Sequence, residues 1–377
     1  MCKSFLRAAG LALTLLLPPM AASADEAVIE RLNEWGIRHK GQPIDAAAFA
    51  DLQSLALPPE ARAAFSDADL ALLAKLPRLG HVALDGVKGV TPEGIKHLQA
   101  APALWNISWM GGDLSDAHIW ALSEIAQLKH LRLGANPAIS DAVMGNLAGL
   151  PQLEMLALEG TSVTDAGVSA LNGNDSLRQL SLDTLAITDE SLPVLGSLRA
   201  LRQLSLNKTK VTGKGFNHLA SLENLAQLGA MNAPLSDEGV AELARSQSLQ
   251  SLFLWHTPIG DAALEAIAAL PKLRVLYLDN TAVTDRGLAS LAQSKSLEIL
   301  WLSRNTITDE GISALAPLPL TQVQLNETAL SDRGLTLLAN IPTLSHISAR
   351  KTNVTKEGVD AALAQTQRNP KLVIQYE

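Results

Sequence analysis

The sequence predicts an α/β solenoid in which parallel strand–turn–helix units stack side by side, strands on one face and short helices on the other. Three observations predict it. A leucine pattern recurs every 24 residues through most of the chain, and self-similarity at such a period marks repeat architectures. Hydrophobic residues make up 47% of the sequence but aromatic residues only 3%, which suits layered leucines rather than a core built around rings. The length, 377 residues, exceeds what one compact core usually holds, whereas an array of units that each contact only their neighbours has no such ceiling.

One unit runs Leu153-Glu-Met-Leu156-Ala-Leu158-Glu-Gly-Thr161-Ser-Val163-Thr164-Asp165-Ala-Gly167-Val168-Ser-Ala-Leu171. Further units open at Leu177, Leu201, Leu225, Leu249, Leu273 and Leu297, each 24 residues after the one before. Others open at Leu79, Leu104 and Leu128 upstream, and at Leu320 and Leu344 downstream. The Leu79 and Leu128 units carry one extra turn residue, so Val90 and Ile139 stand where Val163 does. Leu52, Leu55 and Leu57 form a degenerate leading unit. The repeat domain is thus expected over residues 52–377, as about twelve units.

Each position has a physical role. Leu-x-x-Leu-x-Leu is a short strand whose alternating leucines point inward. The Val or Ile two residues after the Thr plugs the turn. Thr164-Asp165, Thr188-Asp189, Ser236-Asp237, Thr284-Asp285, Thr308-Asp309 and Ser331-Asp332 supply helix N-caps. Val168, Leu171 and their equivalents pack the outer helix inward. Residues 25–51 break the period. Val28, Ile29, Leu32 and Trp35 have helical spacing, and Asp45 to Phe49 reads as a second short helix, so this segment is expected to cap the first unit. At the far end Asn369-Pro370 should break the last helix, and residues 371–376 should add a closing strand.

These motifs resemble the leucine-rich-repeat family, in particular its class with the pattern L-x-x-L-x-L-x-x-[T/C]-x-[I/V]-T-D-x-G-L, ribonuclease-inhibitor-like and found in F-box-associated and bacterial proteins. The match covers roughly residues 52–377. The resemblance implies a horseshoe with parallel strands on the concave face, and a role in interaction rather than catalysis. Thr161, Thr209, Thr257, Thr281, Thr328 and Thr352 occupy a position often held by Asn or Cys. A Thr hydroxyl can still satisfy turn backbone there.

Residues 1–24 are expected to be a cleaved signal peptide. Lys3 and Arg7 form its basic end, Ala8 to Leu17 an apolar stretch, and Ala22-Ser23-Ala24 a small-residue cleavage site. The apolar stretch is short for a membrane span, and no second one of spanning length follows. The one cysteine, Cys2, lies in this leader, so the mature chain would depend on no disulfide. That combination predicts a bacterial protein that is periplasmic or secreted. N-terminal sequencing of exported protein is expected to begin at or near Asp25, and a distant start would overturn the assignment. The net charge of −8 argues against a nucleic-acid partner, which needs clustered Lys and Arg.

No enzyme motif stands out. The recurrent Thr-Asp pairs sit at one structural position, which points to capping, and one Asp per turn is too few for calcium. The eight histidines are scattered with no His-x-x-x-His or Cys/His cluster, and neither a Gly-x-Ser-x-Gly elbow nor a phosphate loop is present. The chain is therefore expected to be non-catalytic, without cofactor or metal. Leu57-Pro58-Pro59-Glu60, Phe65 and Asp69-Leu70 resemble the opening of an F-box, which implies an alternative role as a ubiquitin-ligase adaptor effector. Against it, Ala61, Arg62 and Ala63 stand where bulky aliphatics are needed, no closing Cys-x-x-Trp follows, and Ser66-Asp67 matches the recurrent cap.

The candidate site comes from the strand positions that face away from the leucines. At the central such position the early units carry Ala83, Ser108, Arg132, Ala157, Ser181 and Ser205, and later ones carry Phe253, Tyr277 and Trp301. Met231 and Trp255 lie two residues on, His256 adjoins Trp255, and Val275 and Ile299 lie two residues earlier. Strands about 4.8 Å apart bring these side chains into contact. The whole chain has five Phe, six Trp and two Tyr, and four of these rings fall in this patch. The core does not need them, and Trp and Tyr are preferred interface anchors. The ladder is expected to be substantially exposed and to bind a protein or peptide.

Overall fold

The computed structural model describes residues 24–365 and 372–377. Residues 1–23 of the expected leader 1–24, the helix break at Asn369-Pro370, and Lys371 lie outside them.

Strand β1 (Arg38–His39) pairs antiparallel with β2 (Gln42–Pro43) in a small hairpin. All other strands among the described residues belong to one fourteen-stranded parallel sheet, in chain order without crossovers. It begins at β3 (Ser54–Ala56) and continues through β4 (His81–Ala83), β5 (Asn106–Ser108), β6 (His130–Arg132), β7 (Met155–Ala157), β8 (Gln179–Ser181) and β9 (Gln203–Ser205). It then runs through β10 (Gln227–Gly229), β11 (Ser251–Phe253), β12 (Val275–Tyr277), β13 (Ile299–Trp301), β14 (Gln322–Gln324) and β15 (His346–Ser348) to β16 (Val373–Gln375). Short α and 3-10 turns connect successive strands. The middle residue of each central strand, such as Leu180, Leu228, Leu276 and Leu300, is at most 2% exposed, while its two neighbours face the other way. This alternation is the period of an extended chain. It fills the interior with one continuous leucine layer and leaves two columns of side chains on the open face.

The turn after each strand is closed by hydrogen bonds to the strand's own end. The hydroxyls of Thr161, Thr209, Thr257 and Thr328 each donate to the carbonyl three residues back, at 2.6–2.8 Å. Two units use Asn in the same place. Asn136 is fully buried, donates to the carbonyls of Trp109, Leu133 and Gly134, and accepts from the N–H groups of Gly112 and Leu114. An amide has both donors and an acceptor, so it ties two units together where a Thr serves its own.

The Thr-Asp pair divides its labour in a way that capping alone does not cover. Thr164, Thr188, Thr284 and Thr308 are helix N-caps, as their residue type predicts. The following Asp reaches forward to the next unit. Asp285 accepts from both the backbone N–H and the hydroxyl of Thr308, at 2.8 and 2.6 Å, and Asp261 does the same for Thr284 at 2.8 and 2.7 Å. The Gly of the motif follows from this bond. A Cβ on Gly311 would lie 2.3 Å from Asp285 Oδ1, so the carboxylate occupies the space a side chain would take. Where Pro92 replaces the Asp, the next unit carries His118 instead of Gly, and its ring bonds Ser115 and the Val90 carbonyl. Asp285→Ala is expected to cost about 1–2 kcal/mol, because charged hydrogen bonds exceed neutral ones and the Thr308 N–H loses its partner. A denaturant melt that leaves stability unchanged would show the bond to be dispensable.

Ahead of β3, helix α1 (Ala24–Glu34) buries Val28 and Leu32, and helix α2 (Ala46–Asp51) is capped by Asp45 and buries Phe49. The β1–β2 hairpin between them was not anticipated from sequence. Trp35 packs on Phe65, and Arg31 bonds Asp69 at 2.8 Å. Asp69 is 3% exposed and also takes the Ser66 N–H and hydroxyl. Residues compared above with an F-box form helix α3 (Pro59–Arg62) and helix α4 (Asp67–Leu73), the latter N-capped by Ser66. They are the outer half of the first unit. Asp69→Ala removes the acceptor shared by α1 and α4. It is expected to cost about 2 kcal/mol and to speed proteolysis within residues 24–51, which a timed digest would measure.

Candidate functional site

The strand register places the aromatic residues in a row. Phe253 pairs with Tyr277 across β11 and β12, and Tyr277 with Trp301 across β12 and β13. Tyr277 and Trp301 stack with centroids 3.8 Å apart and planes within 5°. Trp255, in the turn just beyond β11, is parallel to both, at 5.7 Å from Tyr277 and 6.2 Å from Trp301. Phe253 leans on Tyr277 at 4.9 Å with a tilt of 46°. The four rings therefore form a wall standing on the sheet. The sequence leads one to expect them substantially exposed, but all four are half-buried. Position parity does send them away from the leucines; they lose solvent because their faces cover one another.

The other candidates divide. Met231 lies on the groove side, beside Trp255 and Phe253. Val275 and Ile299 pair with each other across β12 and β13 and extend the apolar surface along the first column. His256 does not join the wall. It takes the left-handed turn position, φ 57°, and is exposed with its ring bonded to Asn280 at 2.8 Å.

Beside the wall the sheet carries a groove of about 490 Å³. Phe253, Trp255 and Tyr277 line one end, and Met155, Glu159 and Arg132 the other. Its floor is a column of Gln179, Gln203 and Gln227 beside a column of Ser181, Ser205 and Gly229. At Gly229 the floor drops next to Phe253, and a Cβ there would lie 3.1 Å from Asn207 Oδ1. Along the groove's margin Asp183 accepts from the Asn207 N–H, and Asn207 in turn accepts from the Met231 N–H, each at 2.9 Å. This polar rail stops at Met231 and Trp255, where apolar side chains take its place.

Sequence reasoning found the wall and missed the floor, since Gln and Ser on a strand read as ordinary solvated positions. The signal was present as three glutamines at one strand position, 24 residues apart.

Burial, reinforced by Asp279, pushes the Tyr277 phenol above its ordinary value of 10.0. An acid whose folded pKa is raised contributes stability that is present below its unfolded pKa and is lost as pH rises through the folded value. The midpoint of the Tyr277 tyrosinate absorbance, isolated by comparison with Tyr277→Phe, is thus expected to lie above pH 10.0 while the fold persists. A midpoint at or below that value would mean the ring is open to water. On the strands before the groove, burial and then the Arg132 guanidinium hold His81 below its ordinary value, and burial first of all does so for His130.

Among the described residues no group of three or more His, Cys, Asp or Glu is placed to hold a metal, and no helix is long and apolar enough to cross a membrane.

A fourteen-stranded parallel sheet with short outer helices and a 24-residue leucine period is a leucine-rich-repeat solenoid fold. Residues 293–316 match the Leucine Rich repeat family model. Among solved structures, an internalin (inlF) from Listeria monocytogenes is similar at a TM-score of 0.62 with 20% identity, over 93% of each chain. A weaker likeness, TM-score 0.49 and 19% identity, is to the Rad7 and Elc1 complex of yeast, over 93% of this chain and 91% of that one. At such identities the likeness to the internalin shows the fold. No curated protein sequence matches the chain.

Proposed function

We propose that the protein is a non-catalytic, exported interaction module that binds a protein or peptide through the concave strand face. The observation that carries this reading is the aromatic wall beside an open, polar-floored groove. Four rings stand on the face away from the leucine layer, where they add nothing to the seal of the core. Rings so placed present apolar area that is already ordered, so little side-chain entropy remains to be lost on binding. The fold supports the reading generally, since parallel strands in register offer a wide, stiff surface. Fold alone names no partner; the aromatic wall and its groove do the pointing. Export follows from the leader-like residues 1–24.

Photo-crosslinking tests the placement of the site. A benzophenone side chain at Gln203, on the groove floor, is expected to capture partner in the native envelope. The same group at Arg286, exposed on an outer helix, is expected to capture none. Capture at Arg286 alone would place the interaction on the other face. Fractionation of the same cells tests export, and protein confined to the cytoplasm would overturn that part.

A further inference from the structure

We propose that the groove's occupant is an extended peptide segment carrying a Lys or Arg side chain at Glu159 and a large apolar side chain five or six positions away against Trp255 and Phe253. The inference rests on the concave-face reading above and gives it a chemistry.

The basic residue follows from Glu159. Glu159 borders the groove and is half-buried, and its Oε2 has no hydrogen-bond partner among the described residues. The side chain lies over Gly134, where a Cβ would come within 2.7 Å of it. A carboxylate without a donor at the end of a groove is most strongly complemented by an ammonium or guanidinium group. Arg132 also borders this end of the groove, and among the described residues no ion pair joins it to Glu159.

The peptide backbone follows from the glutamines. Gln179, Gln203 and Gln227 stand in register on three adjacent strands. Among the described residues none of their side-chain amides has a hydrogen-bond partner, so each offers a donor pair and an acceptor. A primary amide can meet a peptide group with two hydrogen bonds, and this chain already contains that pairing. Asn33 donates to the Ile44 carbonyl and accepts from the Ile44 N–H, both at 2.8 Å.

The spacing follows from the sheet. From β7, which leads into Glu159, to β11, which leads into Trp255, are four steps of about 4.8 Å, or about 19 Å. An extended chain advances about 3.4 Å per residue, so the two anchors fall five or six residues apart. The wall selects an apolar side chain rather than a sugar. Sugar rings bind to open aromatic faces, whereas Tyr277 and Trp301 each turn one face against the other.

The test is to pan a display library of random twelve-residue peptides against the whole chain, then measure chosen synthetic peptides against variants. Enriched sequences are expected to pair Lys or Arg with Leu, Ile, Phe or Trp at a spacing of five or six. Their affinity is expected to fall at least tenfold in Glu159→Gln and in Trp255→Ala, with unchanged thermal melts for Glu159→Gln. Peptides that need Trp255 yet ignore Glu159→Gln overturn this inference and leave the concave-face reading standing. So do acidic peptides that are lost in Arg132→Ala. Failure to enrich any peptide sensitive to Trp255→Ala overturns both.

Discussion

Replacing Leu278 with Ala is expected to lower the stability of the fold by roughly 2–5 kcal/mol, the range for a fully buried leucine that leaves a cavity behind. Leu278 is 0% exposed in the middle of the leucine layer, one residue past Tyr277. Its carbonyl receives the Thr281 hydroxyl at 2.9 Å and the Asn305 amide at 2.7 Å. Truncating the side chain leaves those bonds in place, so the loss should be one of packing. Because each unit leans only on its neighbours, a weakened middle unit is expected to split the melt, or broaden it, rather than simply displace it. Circular dichroism melts and denaturant titration measure this. A loss below about 1 kcal/mol, the level of a surface change, would mean that the layer is loosely packed at this point.

The second large effect is on binding. Trp255→Ala and Trp301→Ala are each expected to weaken partner binding by about 2 kcal/mol or more, as for an interface hot spot. Each should cost the free protein about 1 kcal/mol, the worth of a ring–ring contact. Tyr277 is parallel to both tryptophans and loses a neighbouring ring in either variant. The contrast with Leu278→Ala is the decisive comparison, since the two kinds of residue are adjacent in sequence and opposite in direction. If Trp301→Ala destabilises as strongly as Leu278→Ala and leaves binding intact, the wall is a stiffener of the sheet and not a site.

Much of this architecture is legible in the sequence, because a period imposes itself. The strands, their inward leucines and the Thr caps all follow from recurrence together with residue chemistry. The same recurrence exposes Phe253, Tyr277 and Trp301 as departures at one position of otherwise small or polar residues. What escaped was of a different kind. The forward bond from Asp285 to Thr308 joins residues 23 positions apart, and nothing in one unit reveals that its Asp serves the next. The Gly-for-carboxylate exchange at Gly311 becomes visible only once that distance is known. The β1–β2 hairpin occurs once, so no period announces it. The rings are half-buried because of how they tilt, and strand parity predicts direction without predicting tilt. Glu159 reads in sequence as any turn acid, and only the fold lays it over Gly134 at the groove's end without a partner for its Oε2.

The stacked wall also gives the molecule an optical signature. Parallel rings at 3.8 Å are close enough for their electronic transitions to couple, which gives rise to a near-ultraviolet circular dichroism band shaped by their mutual angle. Trp109 sits inside the leucine layer, and Trp105 and Trp120 lie several units away, so none of them shares in that coupling. A guest pressing on the ring edges would turn or separate them and reshape the band. The chain therefore carries an intrinsic, label-free gauge of occupancy at the one place on its surface where it is proposed to meet a partner.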